Sequence, residues 1–189
     1  MVGSMFKSLA FTFVTILLTP HLAGDQSTAS HPLLGHWQAR MQVIDQSYQI
    51  DTWSFGANEA QYDIQVYNTN NRALSLRDVA LYAFKYEAPG AKPNEHYFVI
   101  SLSKRIITPS TETIAAAFNS QKYCDLENWE VGVENDVTST NCAWVGSWFS
   151  IAKIENGILD IAFSNDEEIC QTPEDRCTKF YGNKYYKMK

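Results

Sequence analysis

Ser147-Trp148-Phe149-Ser150-Ile151-Ala152-Lys153-Ile154, then Glu155-Asn156-Gly157, then Ile158-Leu159-Asp160-Ile161-Ala162-Phe163 reads as two strands around a tight turn. Asn and Gly both accept positive φ, which a short hairpin turn demands. In the second arm Leu159, Ile161 and Phe163 share one face and Asp160 takes the other. The same period of two recurs upstream. Trp37, Ala39, Met41 and Val43 alternate with His36, Gln38, Arg40 and Gln42, which predicts one strand with an unbroken apolar face. Tyr62, Ile64 and Val66 alternate with Gln61, Asp63 and Gln65. Tyr48–Phe55, Val79–Tyr86, Tyr97–Ile107 and Thr178–Lys187 are further strand candidates, with turn signals at Asn68–Asn71 and from Pro89-Gly90 to Pro93. One stretch departs from the pattern. Thr108-Pro109 followed by Ser110–Ser120, with Glu112 and Ala115-Ala116-Ala117, predicts a short helix capped by Thr108. About eight strands with one helix make a mainly β fold, an antiparallel eight-stranded barrel or a sandwich. A closed barrel has no exposed edge, which suits a monomer.

The chain has 189 residues, 45% apolar and 19% charged, the composition of one globular domain. Residues 1–24 read as a secretory signal peptide: Lys7, an uncharged apolar run from Leu9 to Leu18, then Pro20 and small residues, with cleavage after Ala23, Gly24 or Ala29. Residues 25–189 form the expected domain, secreted or periplasmic and without a transmembrane anchor. Leu22-Ala23-Gly24 is followed by Asp25. A lipid anchor at that point would need a Cys thiol. Fifteen Lys+Arg against 21 Asp+Glu give a formal charge of −6, which argues against nucleic acid as a partner. Cys124, Cys142, Cys170 and Cys177 make an even set, and export implies an oxidising compartment. Four cysteines allow three pairings. Cys124–Cys142 with Cys170–Cys177 is favoured, because each bond closes a local loop.

Gly35-His36-Trp37 opens the first strand. It resembles the Gly-x-Trp start of lipocalins and related calycin barrels, in which the Trp closes one end of the barrel. The second half carries a longer pattern: Thr108-Pro109, Ala117-Phe118-Asn119, Tyr123-Cys124, Trp129, Gly132-Val133, Asn135-Asp136-Val137-Thr138, Cys142 and Phe149–Leu159. Over roughly residues 33–189 the chain resembles the adenomatosis-polyposis-coli-down-regulated domain, a lipocalin-like family with exported bacterial members. The resemblance implies a β-barrel around an apolar cavity that sequesters a lipid-like molecule, closed by Gly35 and Trp37. Two departures stand out. Asp125 occupies the place of a Gly after Tyr-Cys, and the lipocalin Thr-Asp-Tyr element is missing. For the Arg that packs on the barrel Trp in lipocalins, Arg176 is the late candidate.

Aromatic residues on the predicted strands are the expected ligand lining: Trp53, Phe55, Tyr62, Tyr82, Phe84 and Phe98, joined by Met41, Ile64, Ile161 and Phe163. The alternatives are a barrel filled by its own side chains, or aromatics on the outside that meet a sugar or a protein. Catalysis has little support. There is no Gly-x-Ser-x-Gly elbow, P-loop or Gly-x-Gly-x-x-Gly. His31 and His36, five apart with no carboxylate at ligand spacing, read as solvated or barrel-rim residues, and no metal or cofactor is expected. Asp125, Glu127, Glu134 and Asp136, like Asp166, Glu167 and Glu168, read as solvated acidic loops. The leading expectation is a non-enzymatic binding protein for an apolar or amphipathic small molecule. The rivals are a protein-interaction module that uses the loops Asp125–Asn141 and Asp166–Arg176, and a hydrolase on a calycin-type barrel.

Overall fold

The computed structural model describes residues 30–39, 42–44, 47–143, 146–163, 170–180 and 182–189. Residues 1–24, Met41 and the Asp166–Glu168 cluster lie outside them. The elements are β1 (Gly35–Ala39), β2 (Gln42–Ile44), β3 (Ser47–Phe55), β4 (Glu59–Asn68), β5 (Leu74–Pro89), β6 (Glu95–Pro109), α1 (Glu112–Gln121), β7 (Asn135–Asp136), β8 (Ser147–Glu155), β9 (Ile158–Ile161) and β10 (Tyr185–Lys187). A single 3-10 turn, Tyr123–Asp125, follows α1.

Eight strands follow one another around a circle in the order β1, β3, β4, β5, β6, β8, β9, β10, and β10 returns to β1. All neighbours are antiparallel, so the fold is a closed eight-stranded barrel, compatible with a calycin-like architecture. The short β2 adds to the β3 pairing, and β7 pairs with β6. The hairpin from β8 to β9 turns at Asn156 (φ 53°) and Gly157 (φ 75°), as the Asn-Gly signal predicts.

Three expectations are corrected. First, the apolar alternation from Trp37 to Val43 is not one unbroken register. Gln38 pairs with Thr52 but Gln42 pairs with Gln49, so four steps along one strand match three along the other. The extra residue shifts the pairing by one. Second, the helix begins at Glu112, and Thr111 rather than Thr108 caps it by accepting from Ile114 N–H. Pro109 instead ends β6, opposite Leu76. Third, the last strand is Tyr185–Lys187, three residues long, with a lone bridge between Phe180 and Ala162 before it.

Both disulfides join the local pairs, Cys124 to Cys142 and Cys170 to Cys177. Each organises a small core of its own outside the main one. Cys124 and Cys142 pack with Ile107, Ala115, Phe118, Tyr123, Trp129 and Val137. Cys170 and Cys177 pack with Ile151 and Ala162 beside Tyr97, Trp148 and Phe180. Structural disulfides fit an oxidising compartment. Among the described residues, no helix is long and apolar enough to cross a membrane.

Candidate functional site

Strand register decides which side chains enter the barrel, because directly paired residues share a face. Trp37 pairs with Trp53, Trp53 with Tyr62, and Tyr62 with Ala80, which defines the inward face. On β3 and β4 that face carries Gln49, Asp51, Trp53 and Phe55, then Ala60, Tyr62, Ile64 and Val66. On β5 it carries Leu76, Asp78, Ala80, Tyr82 and Phe84. On β6 a bulge intervenes. Leu81 pairs with Lys104 but Tyr82 with Leu102, so Ser103 is the extra residue. Below the bulge Phe98, Ile100 and Leu102 face inward. Above it Arg105 and Ile107 do.

The closed end is filled. The segment before β1 lies across it, with Leu33 fully buried and the indole N–H of Trp37 donating to the Leu33 carbonyl at 2.7 Å. His31 is buried rather than solvated. Its Nε2 donates to the Gly56 carbonyl at 2.9 Å, and its ring stacks on Tyr86. Trp53 stacks against Phe55 and Tyr62 with centroids 5.3 and 4.7 Å apart, and Phe55, Phe84 and Phe98 close on one another at 5.3–6.2 Å. Trp37 is buried as the resemblance implies. The cation over its ring, however, is Lys187, with Nζ 5.2 Å from the ring centre. Gly35 lies against that same Lys187 chain. Arg176 is elsewhere, on the outer wall over Tyr97 and Phe149 and ion-paired with Glu87.

Of the expected lining residues, Trp53, Phe55, Tyr82, Phe84, Phe98 and Ile161 are each at most 4% exposed and pack on one another as core. Tyr62, Ile64 and Phe163 also face inward or join this core, but they remain part-exposed. So do Gln49, Val66, Leu76 and Leu102, which the sequence did not single out. The half of the bore toward the far end of β3 and β4 is therefore the half with part-exposed inward side chains, Leu76 among them packing on the small core around Trp129.

That half holds polar groups. Asp51 is 3% exposed, and its carboxyl accepts from Gln49 Nε2 at 2.6 Å and from the Tyr62 hydroxyl at 2.9 Å. Burial, then the neighbouring Tyr185 and Asp51, push the Tyr62 phenol well above its ordinary range. Burial likewise pushes Tyr185 up to about 12. Neither the indole N–H of Trp53 nor the hydroxyl of Tyr185 makes a hydrogen bond of acceptable geometry, although both atoms are buried. Asp78 and Arg105 form a two-pronged pair, with Nε–Oδ1 at 3.1 Å and Nη2–Oδ2 at 2.6 Å. Arg105 Nη1 also donates to the Cys142 carbonyl at 2.5 Å. The interior is thus mixed rather than uniformly apolar.

The excursion from α1 to Cys142 stands at this mouth. Its core packs on Leu76 and Ile107, at the far ends of β5 and β6. Asn119 locks it by donating to the Trp129 carbonyl and accepting the Trp129 backbone N–H, at 2.9 and 2.6 Å. Phe118, Asn119, Tyr123, Cys124, Trp129 and Cys142, which carry much of the family resemblance, thus converge on the cap. Their role here is to hold its shape.

Two other places were candidates. A groove of about 730 Å³ on the outer wall is lined by His36, Ser54, Glu59, Gln61, Leu81 and Ser103. His36 Nδ1 and Ser54 Oγ share a 2.8 Å hydrogen bond there. The groove is half open, and its side chains are solvated rather than convergent, so it lacks the enclosure of a small-molecule site. In the 125–141 loop, Glu127 pairs with Lys122, and Asp136 accepts from Thr138. Among the described residues, no three His, Cys, Asp or Glu side chains converge as a metal site. No family model matches this chain, and no curated protein matches it either.

Proposed function

We propose that this protein binds a small amphipathic molecule in the accessible half of its barrel, as an exported lipocalin-like carrier without a covalent step. One observation carries the reading. Ile64 and Val66 face inward yet remain part-exposed and outside the packed clusters, whereas Trp53, Phe55, Tyr82, Phe84 and Phe98 toward the other end are packed on one another. An apolar chain lying along Ile64, Val66 and Leu102 would bury its surface at about 25 cal/mol per Å² before ordering costs. The filled end gives that chain a floor at Trp53 and Tyr82. The resemblance to a lipid-sequestering family supports the same reading. Export is supported by the two disulfides and by the character of residues 1–24.

The test is a titration of Trp emission with ten-carbon amphiphiles, paired with the bore-filling variant Ile64→Trp. Saturable one-to-one binding that Ile64→Trp abolishes is the expected result. No saturable binding of any amphiphile, or binding that Ile64→Trp leaves unchanged, would sink the proposal.

A second reading has one observation in its favour. Val131 and Val133 are exposed at 40% and 44% on the cap loop, beside buried Trp129. A protein partner docking there would meet an apolar tip. Recharging both valines to Lys would abolish such docking and leave amphiphile binding intact.

A further inference from the structure

The carboxyl group of Asp51 raises the question of what complements it. Inward-facing ionisable groups of the half beyond Trp53 and Tyr82 are Asp51, Tyr62, Asp78, Arg105 and Tyr185. Arg105 is committed to Asp78 and to the Cys142 carbonyl. Among the described residues, no Lys or Arg forms an ion pair with Asp51, which has only Gln49 and the Tyr62 hydroxyl as donors. Buried carboxylates in proteins are normally matched by a cation or a metal. Beside Asp51, Trp53 Nε1 and the Tyr185 hydroxyl are buried next to each other, with the Tyr62 hydroxyl and Asn183 also close to Tyr185. The surroundings are aromatic. Trp53 lies 4.7 Å from Tyr62, 5.7 Å from Tyr82 and 6.1 Å from Phe163, centre to centre. Ring faces attract cations and repel anions. The carboxyl and the aromatic wall favour the same kind of head group.

Resting on the proposed binding in the bore, we infer that the ligand carries a positively charged amine head, which Asp51 receives at the boundary between the filled and accessible halves of the barrel, with Tyr62 and Tyr185 beside it and the apolar chain directed toward the mouth along Ile64 and Val66. A fatty acid would place its carboxylate against Asp51 and is disfavoured. A neutral chain would bring Asp51 no counter-charge.

The experiment compares three chains of equal length, decylammonium, decanol and decanoate, by calorimetric titration at pH 7 and low salt. Decylammonium is expected to bind at least tenfold more tightly than either of the others. In Asp51→Asn the preference for decylammonium over decanol should fall below about threefold while decanol binding persists, and Asp51→Glu should restore part of it. Equal affinity for the three chains, tighter binding of decanoate, or a preference that Asp51→Asn leaves intact would overturn the inference and leave barrel binding standing. Failure of all three to bind would overturn both. The wild-type comparison needs no variant, so it decides the matter even if Asp51→Asn does not fold.

Discussion

The two halves of this barrel are made from the same strands and differ in what those strands send inward. Toward the closed end, β3 supplies Trp53 and Phe55, β5 supplies Tyr82 and Phe84, and β6 supplies Phe98 and Ile100, all nearly inaccessible. Farther along, β3 supplies Gln49 and Asp51, β5 supplies Asp78, and β6, past its bulge, supplies Arg105. One half therefore spends its interior on dispersion and apolar burial. The other keeps polar groups whose burial costs free energy unless they are matched. A sequence selected for stability alone would replace Asp51 and the Asp78–Arg105 pair with apolar residues of similar size. Retaining polar groups beside a packed aromatic floor is the pattern of a binding site supported by a rigid base.

The largest expected effect tests that division directly. Trp37→Ala removes a buried indole from the floor together with its hydrogen bond to Leu33, and should cost roughly 3–5 kcal/mol of stability. Ile64→Ala, at a part-exposed inward position, should cost about 1–2 kcal/mol, because less apolar surface leaves contact. Urea unfolding of both variants measures the difference. Equal losses would mean that the two halves are packed alike, and the case for an accessible bore would fail.

Much of this division was legible in the sequence, and the illegible part has a physical cause. The Asn156-Gly157 hairpin and the alternation in β4 were readable because turn chemistry and a period of two leave local marks. Trp53 and Phe55 were readable as interior, and the same parity places Asp51 with them. Arg105 was hidden. On simple alternation from Phe98, Ile100 and Leu102, it belongs on the outer face. The single extra residue at Ser103 reverses the phase, and nothing about Ser103 announces a bulge. The shift between Gln38 and Gln42 is hidden for the same reason: the apolar alternation runs straight through it. The cation over Trp37 is not legible in the sequence, because ring contacts depend on barrel closure. Lys187 reaches Trp37 only when β10 docks beside β1.

The disulfides sharpen the comparison at the next size of effect. Cys124–Cys142 spans 18 residues and anchors the cap at the accessible mouth, while Cys170–Cys177 spans 7 and anchors a loop on the outer wall. Chain-entropy arguments give about 3 kcal/mol for the first and about 2.5 kcal/mol for the second. Their stability effects should be similar. Their effects on ligand should not. Replacing Cys124 and Cys142 with Ser loosens the carbonyl that holds Arg105, and should weaken amphiphile binding in the titration above. Replacing Cys170 and Cys177 should leave it within about twofold, a ratio chosen to lie inside the scatter of small interaction changes. Equal weakening by both pairs would show that the cap has no special relation to the bore.

The smallest effect belongs to the closed end and depends on pH. His96 lies beside Tyr86 and the buried His31, with its Nδ1 3.2 Å from the Tyr86 hydroxyl. Burial, and then the neighbouring His31, lower its pKa below the ordinary 6.5. The unfolded chain therefore binds a proton at a higher pH than the folded one does. Stability rises with pH wherever the unfolded state carries more protons. Nothing is lost above the unfolded value. As pH falls from about 6.5 toward the depressed folded value, the barrel is progressively penalised, and below that value the penalty levels off. His96→Gln should flatten this part of the Tm-against-pH curve while leaving the plateau above pH 7 close to wild type. Because His96 sits at the filled end, amphiphile affinity measured across the same range should not follow the His96-dependent change. If His96→Gln alters the pH dependence of binding as much as that of melting, the two ends are coupled through the aromatic floor, and the floor cannot be the rigid base on which the site rests.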